Sequence, residues 1–215
     1  MDAEMKTVLL ADDAPANLQV ANSILNSTYK IQIATSGEKA LKIANQSPPP
    51  DLILLDVMMP VMDGYEVCAR LKSGADTRDI PVIFLTGQTE TDDETKGFEV
   101  GAVDYIHKPF SPAVVKARVH THLMLRGIRE QLARQLLTIQ HEMETARQIQ
   151  LSILPREIPS IAGLDIAARY IPMTSVAGDF YDFIVIDETR IGVLVRTYPA
   201  TACPRRLSPP CSRLL

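Results

Sequence analysis

A chain of 215 residues with 46% hydrophobic and 22% charged side chains has the make-up of a globular protein with one large domain, or one ordinary domain and an appendage. Its formal charge of −4 argues against a general nucleic-acid binder, and with no run of about 18 apolar residues no membrane span is expected. The N-terminus carries Asp2 and Glu4 where an export signal needs Lys or Arg, and three Cys are too few for a disulfide framework, so a cytoplasmic setting is expected.

The first apolar run, Thr7-Val8-Leu9-Leu10, reads as a strand ending in Asp12-Asp13. Pro15 opens a helical pattern with Leu18, Ala21, Ile24 and Leu25 on one face. Ile31 to Ala34 is a second strand, and Ser36 caps a helix that buries Ala40, Leu41 and Ala44. Three prolines from Pro48 stop that helix. Leu52 to Leu55 is a strand ending at Asp56, and Gly64 to Lys72 is a helix. Val82 to Leu85 is a strand ending at Thr86, and Asp92 to Val100 is a helix stopped by Gly101. Tyr105-Ile106 is the fifth strand, ahead of Lys108-Pro109 and a long helix from Ser111-Pro112. Strands that are continuously apolar and alternate with helices predict an α/β fold, a doubly wound five-stranded parallel sheet.

In such sheets ligands lie at the carboxyl ends of the strands. Asp12, Asp13, Asp56, Thr86 and Lys108 all fall at or just past those ends. Three carboxylates at one edge repel each other, and a hard divalent cation such as Mg2+ resolves the repulsion. A carboxylate is also a nucleophile toward phosphorus, and a metal and a lysine would neutralise the transferring group. Thr86 could donate a hydrogen bond to the product phosphate, with Gly87 leaving it room. Met58, two residues after Asp56, counts against a dehalogenase-like phosphatase with its second Asp there. No GxGxxG or P-loop pattern supports nucleotide binding.

Asp12-Asp13, the stretch Asp56-Val57-Met58-Met59-Pro60-Val61-Met62-Asp63-Gly64, Thr86 and Lys108-Pro109-Phe110 together resemble a two-component response-regulator receiver domain, of flavodoxin-like fold, over about residues 5–124. The resemblance implies that Asp56 is the phosphoacceptor and that a sensor histidine kinase or phosphotransfer protein is the donor. It implies that Asp13, Asp56 and the Met58 backbone carbonyl bind Mg2+ (or Mn2+), with Asp12 acting through water, and that Lys108 contacts the phosphoryl group. Thr86 and Tyr105 would be the switch pair.

From Pro112 to Leu154 only Gly127 interrupts helix-forming residues, and Pro155 ends the pattern. Two seam sets can be assigned: His122, Arg129, Leu136, Met143 and Gln150, and Leu125, Leu132, Ile139, Ala146 and Ile153. The expectation is a coiled-coil stalk over 112–154 forming a parallel homodimer. The competing reading is one helix packed on its own chain. His120, His122 and His141 have no metal-ligand spacing and are read as solvated helix residues.

Ala146-Arg147-Gln148-Ile149-Gln150, Ile153-Leu154-Pro155 and Ala177-Gly178-Asp179-Phe180-Tyr181-Asp182-Phe183 resemble the start of a SpoIIE/RsbU-type serine phosphatase domain, metal-dependent and PP2C-like. The resemblance implies that Asp179 is a metal ligand, although Ala177 replaces the usual Gly. Ile184 to Ile186 and Ile191 to Val195 flank a polar turn, a plausible hairpin. The family next shows Asp-Val-Ser-Gly-His-Gly, but residues 196–215 hold four Arg, four Pro and no acid. Codons permitted for residues 196–211, read after one added G, encode Ala-Asp-Val-Ser-Gly-His-Gly-Val-Pro-Ala-Ala-Phe-Ile-Ala-Ser-Met. The wobble bases are free choices, but the first two bases of most codons are fixed, so accidental recovery of the motif is improbable.

The organisation expected is therefore a receiver at 1–124, the helix at 112–154, a truncated phosphatase start at 155–195 and an out-of-frame, disordered tail at 196–215. Serine phosphatase activity is expected to be absent. An anti-sigma-factor antagonist would be a substrate only of an intact phosphatase. The competing function is a phosphorylation-dependent binding or dimerisation module, or a phosphate sink, with no output enzyme.

Overall fold

A computed structural model of the chain describes residues 5–87, 97, 99–161, 163–171, 179–188 and 190–196, and the backbone of 212–214. Two units meet in sequence between Gln131 and Leu132.

The first unit is built on β1 (Thr7–Ala11), β2 (Lys30–Ala34), β3 (Leu52–Asp56), β4 (Val82–Thr86) and β5 (Asp104–His107), all parallel in the order β2-β1-β3-β4-β5. The helices are α1 (Pro15–Leu25), α2 (Gly37–Ala44), α3 (Gly64–Ser73) and α4 (Pro112–Ile153). This is the flavodoxin-like doubly wound arrangement. The helix expected over 92–100 lies mostly outside the described residues; Gly101 beyond it has φ 95, as a helix-ending glycine should.

Apolar side chains alternate between the two faces of the sheet. Leu9, Ile53, Leu55 and Phe84 join Ala40, Val67 and Leu71 on the face covered by α2 and α3. Val8, Leu10, Leu54 and Ile83 join Leu18, Leu25, Val115 and Val119 on the face covered by α1 and α4. Both faces are covered, which is why the strands read as unbroken apolar runs. The helix starts follow local chemistry. Pro15 is the first residue of α1, Ser36 accepts from the Lys39 amide, and Asp63 accepts from the Glu66 amide at 2.8 Å.

Only the first turns of α4 belong to the core. Val115, Val119 and Leu123 are buried. Arg126 is then tied to the base of the sheet, its guanidinium donating to the carbonyls of Pro50 at 3.2 Å and Asp51 at 2.8 Å while Nε donates to Glu130. Beyond it Leu132, Leu136, Ile139 and Met143 are exposed.

His122 is not a solvated residue. Its Nε2 lies 3.0 Å from Asp104 at the head of β5, and Arg118 pairs with the same carboxylate. One turn of α4 therefore closes on Asp104, and His122 is spoken for within its own chain rather than free for a helical seam. Burial alone would raise the Asp104 pKa, but bonds from Arg118, the Tyr105 amide and His122 outweigh it and hold the carboxyl below its usual range. A carboxyl depressed on folding stabilises the protein above its unfolded pKa and loses that contribution as pH falls through the folded value. Unfolding titrations should therefore show the wild type losing more stability than Asp104→Asn as pH falls below about 4. Parallel curves for the two would break the assignment.

The second unit contains β6 (Phe180–Asp187), β7 (Arg190–Arg196) and β8 (Ser212–Leu214), antiparallel in that order. The hairpin read from the sequence is present. The tail expected to be disordered contributes β8, whose Ser212 pairs with Arg196; residues 197–211 lie outside the described residues. Tyr181 and Phe183 of β6 pack ring to ring with centroids 5.8 Å apart, and Tyr170 packs on Tyr181 at 6.4 Å.

Candidate functional site

Strand β1 sends the chain to β2 on one side and β3 takes it to the other, so a crevice opens at their carboxyl ends. Asp12 follows β1 and Asp56 ends β3, and both are almost fully buried, while Asp13 faces out. Carboxylate oxygens of Asp12, Asp13 and Asp56 all lie within 4.8 Å of one another. Lys108, just past β5, places Nζ 2.8 Å from Asp12 Oδ2 and 2.9 Å from Asp56 Oδ1.

The surrounding bonds fix these groups. Asp12 Oδ1 accepts from the Ala14 amide at 2.8 Å, and Asn17 Nδ2 donates to both Asp12 oxygens at 3.0 Å. Asp12 thus closes a turn onto the Ala14 amide just ahead of α1 and accepts from Lys108 through its other oxygen. The Val57 amide donates to Leu85 O at 3.1 Å and the Lys108 amide to Thr86 O at 2.8 Å, which sews the three strand ends together. Gly64 donates to Val57 O at 2.9 Å, and a Cβ on Gly64 would fall on the Asp56 carbonyl oxygen. The start of α3 therefore rests on the backbone of the acidic strand end.

Charge and burial set the protonation of the pair. Desolvation dominates at Asp56 and, with the Asp12 charge, raises its pKa against the opposing pull of Lys108 and the Met58 amide. Burial would lower the Lys108 pKa, but its bonds to Asp12 and Asp56 and their charges outweigh this and raise it. The ammonium stays charged, offsetting part of the repulsion among three acids.

Thr86 and Tyr105, the expected switch pair, are both buried. Tyr105 packs on Phe84 at 5.6 Å, and Phe84 packs edge-on to Tyr65 of α3 at 5.2 Å. The Tyr105 hydroxyl occupies the space that a side chain on Gly97 would take. All the residues read as one constellation from the sequence are thus at one end of one sheet. Asp179, the expected phosphatase ligand, is in the second unit, directly before β6. Asn17 was not anticipated; its signal is its place one turn into a helix that starts beside Asp12.

A family model described as "Response regulator receiver domain" matches residues 8–120. The chain belongs to this family. Over 134 residues, 62% of this chain and 30% of the relative, it is 46% identical to a probable cyclic di-GMP phosphodiesterase of Vibrio cholerae serotype O1. Over 115 residues, 53% of this chain and 25% of the relative, it is 40% identical to the response regulator PleD of Caulobacter vibrioides. The structure of the Vibrio cholerae chemotaxis protein CheY4 matches with a TM-score of 0.52 and 30% identity, over 54% of this chain and 98% of that one. The chain spans less than a third of those two curated relatives. Receiver domains take phosphate from histidine kinases or phosphotransfer proteins. Among the described residues no helix is long and apolar enough to cross a membrane.

Proposed function

We propose that this receiver takes a phosphoryl group on Asp56 from a sensor histidine kinase or phosphotransfer protein in the cytoplasm, and that Mg2+ is required. The observation that carries the reading is the meeting of Asp12, Asp13 and Asp56 within 4.8 Å beside the Lys108 ammonium. An Asp56 carboxylate oxygen forms the new O–P bond as the donor's N–P bond breaks, and the bonding pair leaves with the donor imidazole. Three clustered carboxylates are the hard oxygen donors that Mg2+ prefers. Asp13, Asp56 and the Met58 carbonyl would hold it directly, with Asp12 acting through water, and Mn2+ can replace it. When bound, the metal supplies positive charge against the phosphoryl oxygens. Lys108 supplies the same from the other side, Thr86 offers its hydroxyl to the product, and Tyr105 packs behind. With Mg2+ and acetyl phosphate the chain should gain the mass of one phosphoryl group, and EDTA should prevent it. Full labelling in EDTA would remove the metal from the reading.

The stalk supports a homodimer. Leu132, Leu136, Ile139 and Met143 are about half or more exposed along one helical seam, and nothing in the described chain covers them.

The second unit supports a truncated PP2C-like output. Phe180 pairs with Arg196, so Asp179 stands one step beyond the last pair of the hairpin. In the re-read frame the first carboxylate also falls one step beyond position 196. The two acids would then face each other across adjacent strands, as a shared metal requires. This chain should release no phosphate from a phosphoserine peptide with Mn2+, whereas a frame-restored version should. An anti-sigma-factor antagonist is a substrate for that version alone. Inactivity of the restored version would favour the binding module or phosphate sink.

A further inference from the structure

We propose that the stalk pairs with a second copy of this chain in parallel and in register between Leu125 and Arg147, an inference that rests on the homodimer reading above. With Leu136 and Met143 at one core position of the heptad, Leu125, Leu132, Ile139 and Ala146 take the other. Glu142 then falls at the flanking position that, in a parallel in-register pair, meets the residue five later on the opposite helix. That residue is Arg147. Two symmetric Glu142–Arg147 pairs therefore close over the Ile139–Ala146 core. An antiparallel pair sets like flanking positions against each other, so Arg147 loses this partner. Among the described residues Glu142 has no ion pair in its own chain, and Arg147 has only Glu144 at 3.6 Å, one helical turn away and exposed. Both groups are on the surface and available. His122 is held by Asp104, which keeps the seam from extending back into the receiver. Arg129 falls on the seam just before Leu132, where its long stem lets the guanidinium leave the core. Pairing is accordingly tightest after Leu132.

The test uses the full chain with Cys203→Ser and Cys211→Ser, leaving only the buried Cys68. Leu136→Cys and Met143→Cys are made separately and oxidised mildly. Each should form a disulfide-linked dimer, and Leu137→Cys, on the outer face, should not. An antiparallel pair can place at most one of the two opposite itself. Glu142→Arg should weaken the dimer about five-fold in sedimentation, and adding Arg147→Glu should restore it. A dimer that cross-links at only one seam position, or at neither, overturns the parallel register and leaves the homodimer standing. A wild-type chain that sediments as a monomer removes the homodimer itself.

Discussion

Asp56→Asn is expected to abolish covalent phosphorylation while leaving the fold intact. The amide has nearly the shape of the carboxyl it replaces, and the site is buried at the end of a central strand. Lys108 keeps Asp12 as its partner at 2.8 Å. Burial and the Asp12 charge already disfavour ionised Asp56, so neutralising it does not remove a net stabilising charge. What is lost is the nucleophile, because an amide oxygen does not form a stable bond to phosphorus under these conditions. Intact-mass measurement after treatment with acetyl phosphate and Mg2+ should show no added phosphoryl group. Undiminished labelling would place the acceptor elsewhere. Asp13→Ala should also remove labelling, through loss of a direct metal ligand, and here excess Mn2+ should restore part of it.

Gly64→Ala is expected to produce a large loss of stability in the receiver. The new Cβ would land on the Asp56 carbonyl oxygen and lie 2.9 Å from Val57 Cα. Both are backbone atoms at and just past the carboxyl end of β3, so no rotamer change relieves the overlap. Overpacking of this kind costs about 3 kcal/mol, a fall in Tm on the order of 10 °C for a unit of this size. Phosphoryl uptake should fall with it, because the displaced atoms carry Asp56. Thermal unfolding by circular dichroism reads the first effect and mass labelling the second. A Tm within about 2 °C of wild type would mean that α3 moves off the strand at little cost.

The sheet was legible because its strands are short, apolar and bounded by Asp, Pro and Gly, and because both faces are covered. The acid cluster was legible for the same reason: a strand end fixes where the next side chain goes, so five polar residues after five apolar runs must converge. Bonds made by side chains reaching across the fold were not legible. Arg126 meets the Pro50 and Asp51 carbonyls through a separation of 75 residues or more, and no local pattern announces that. His122 reads as solvated because it has no metal-ligand spacing within its helix; its partner Asp104 comes from another element. Val61 gave no sign of its left-handed backbone, φ 70, since a β-branched residue disfavours that region. It stands fully exposed in the loop after Asp56, where the turn into α3 requires the conformation.

The aromatic row from Tyr65 through Phe84 to Tyr105 has an optical consequence. The protein contains no tryptophan, so its near-ultraviolet signal comes from tyrosine alone, apart from weak phenylalanine bands. Two of the six tyrosines are held in this asymmetric packing, one on the strand beside Lys108 and one on the helix that rests on Asp56. Their circular dichroism, added to that of Tyr170 and Tyr181 in the second unit, reports on the strand ends without a label. A single tryptophan placed at Phe84 would be excited without competition above about 295 nm, with one emitting centre and no background to subtract.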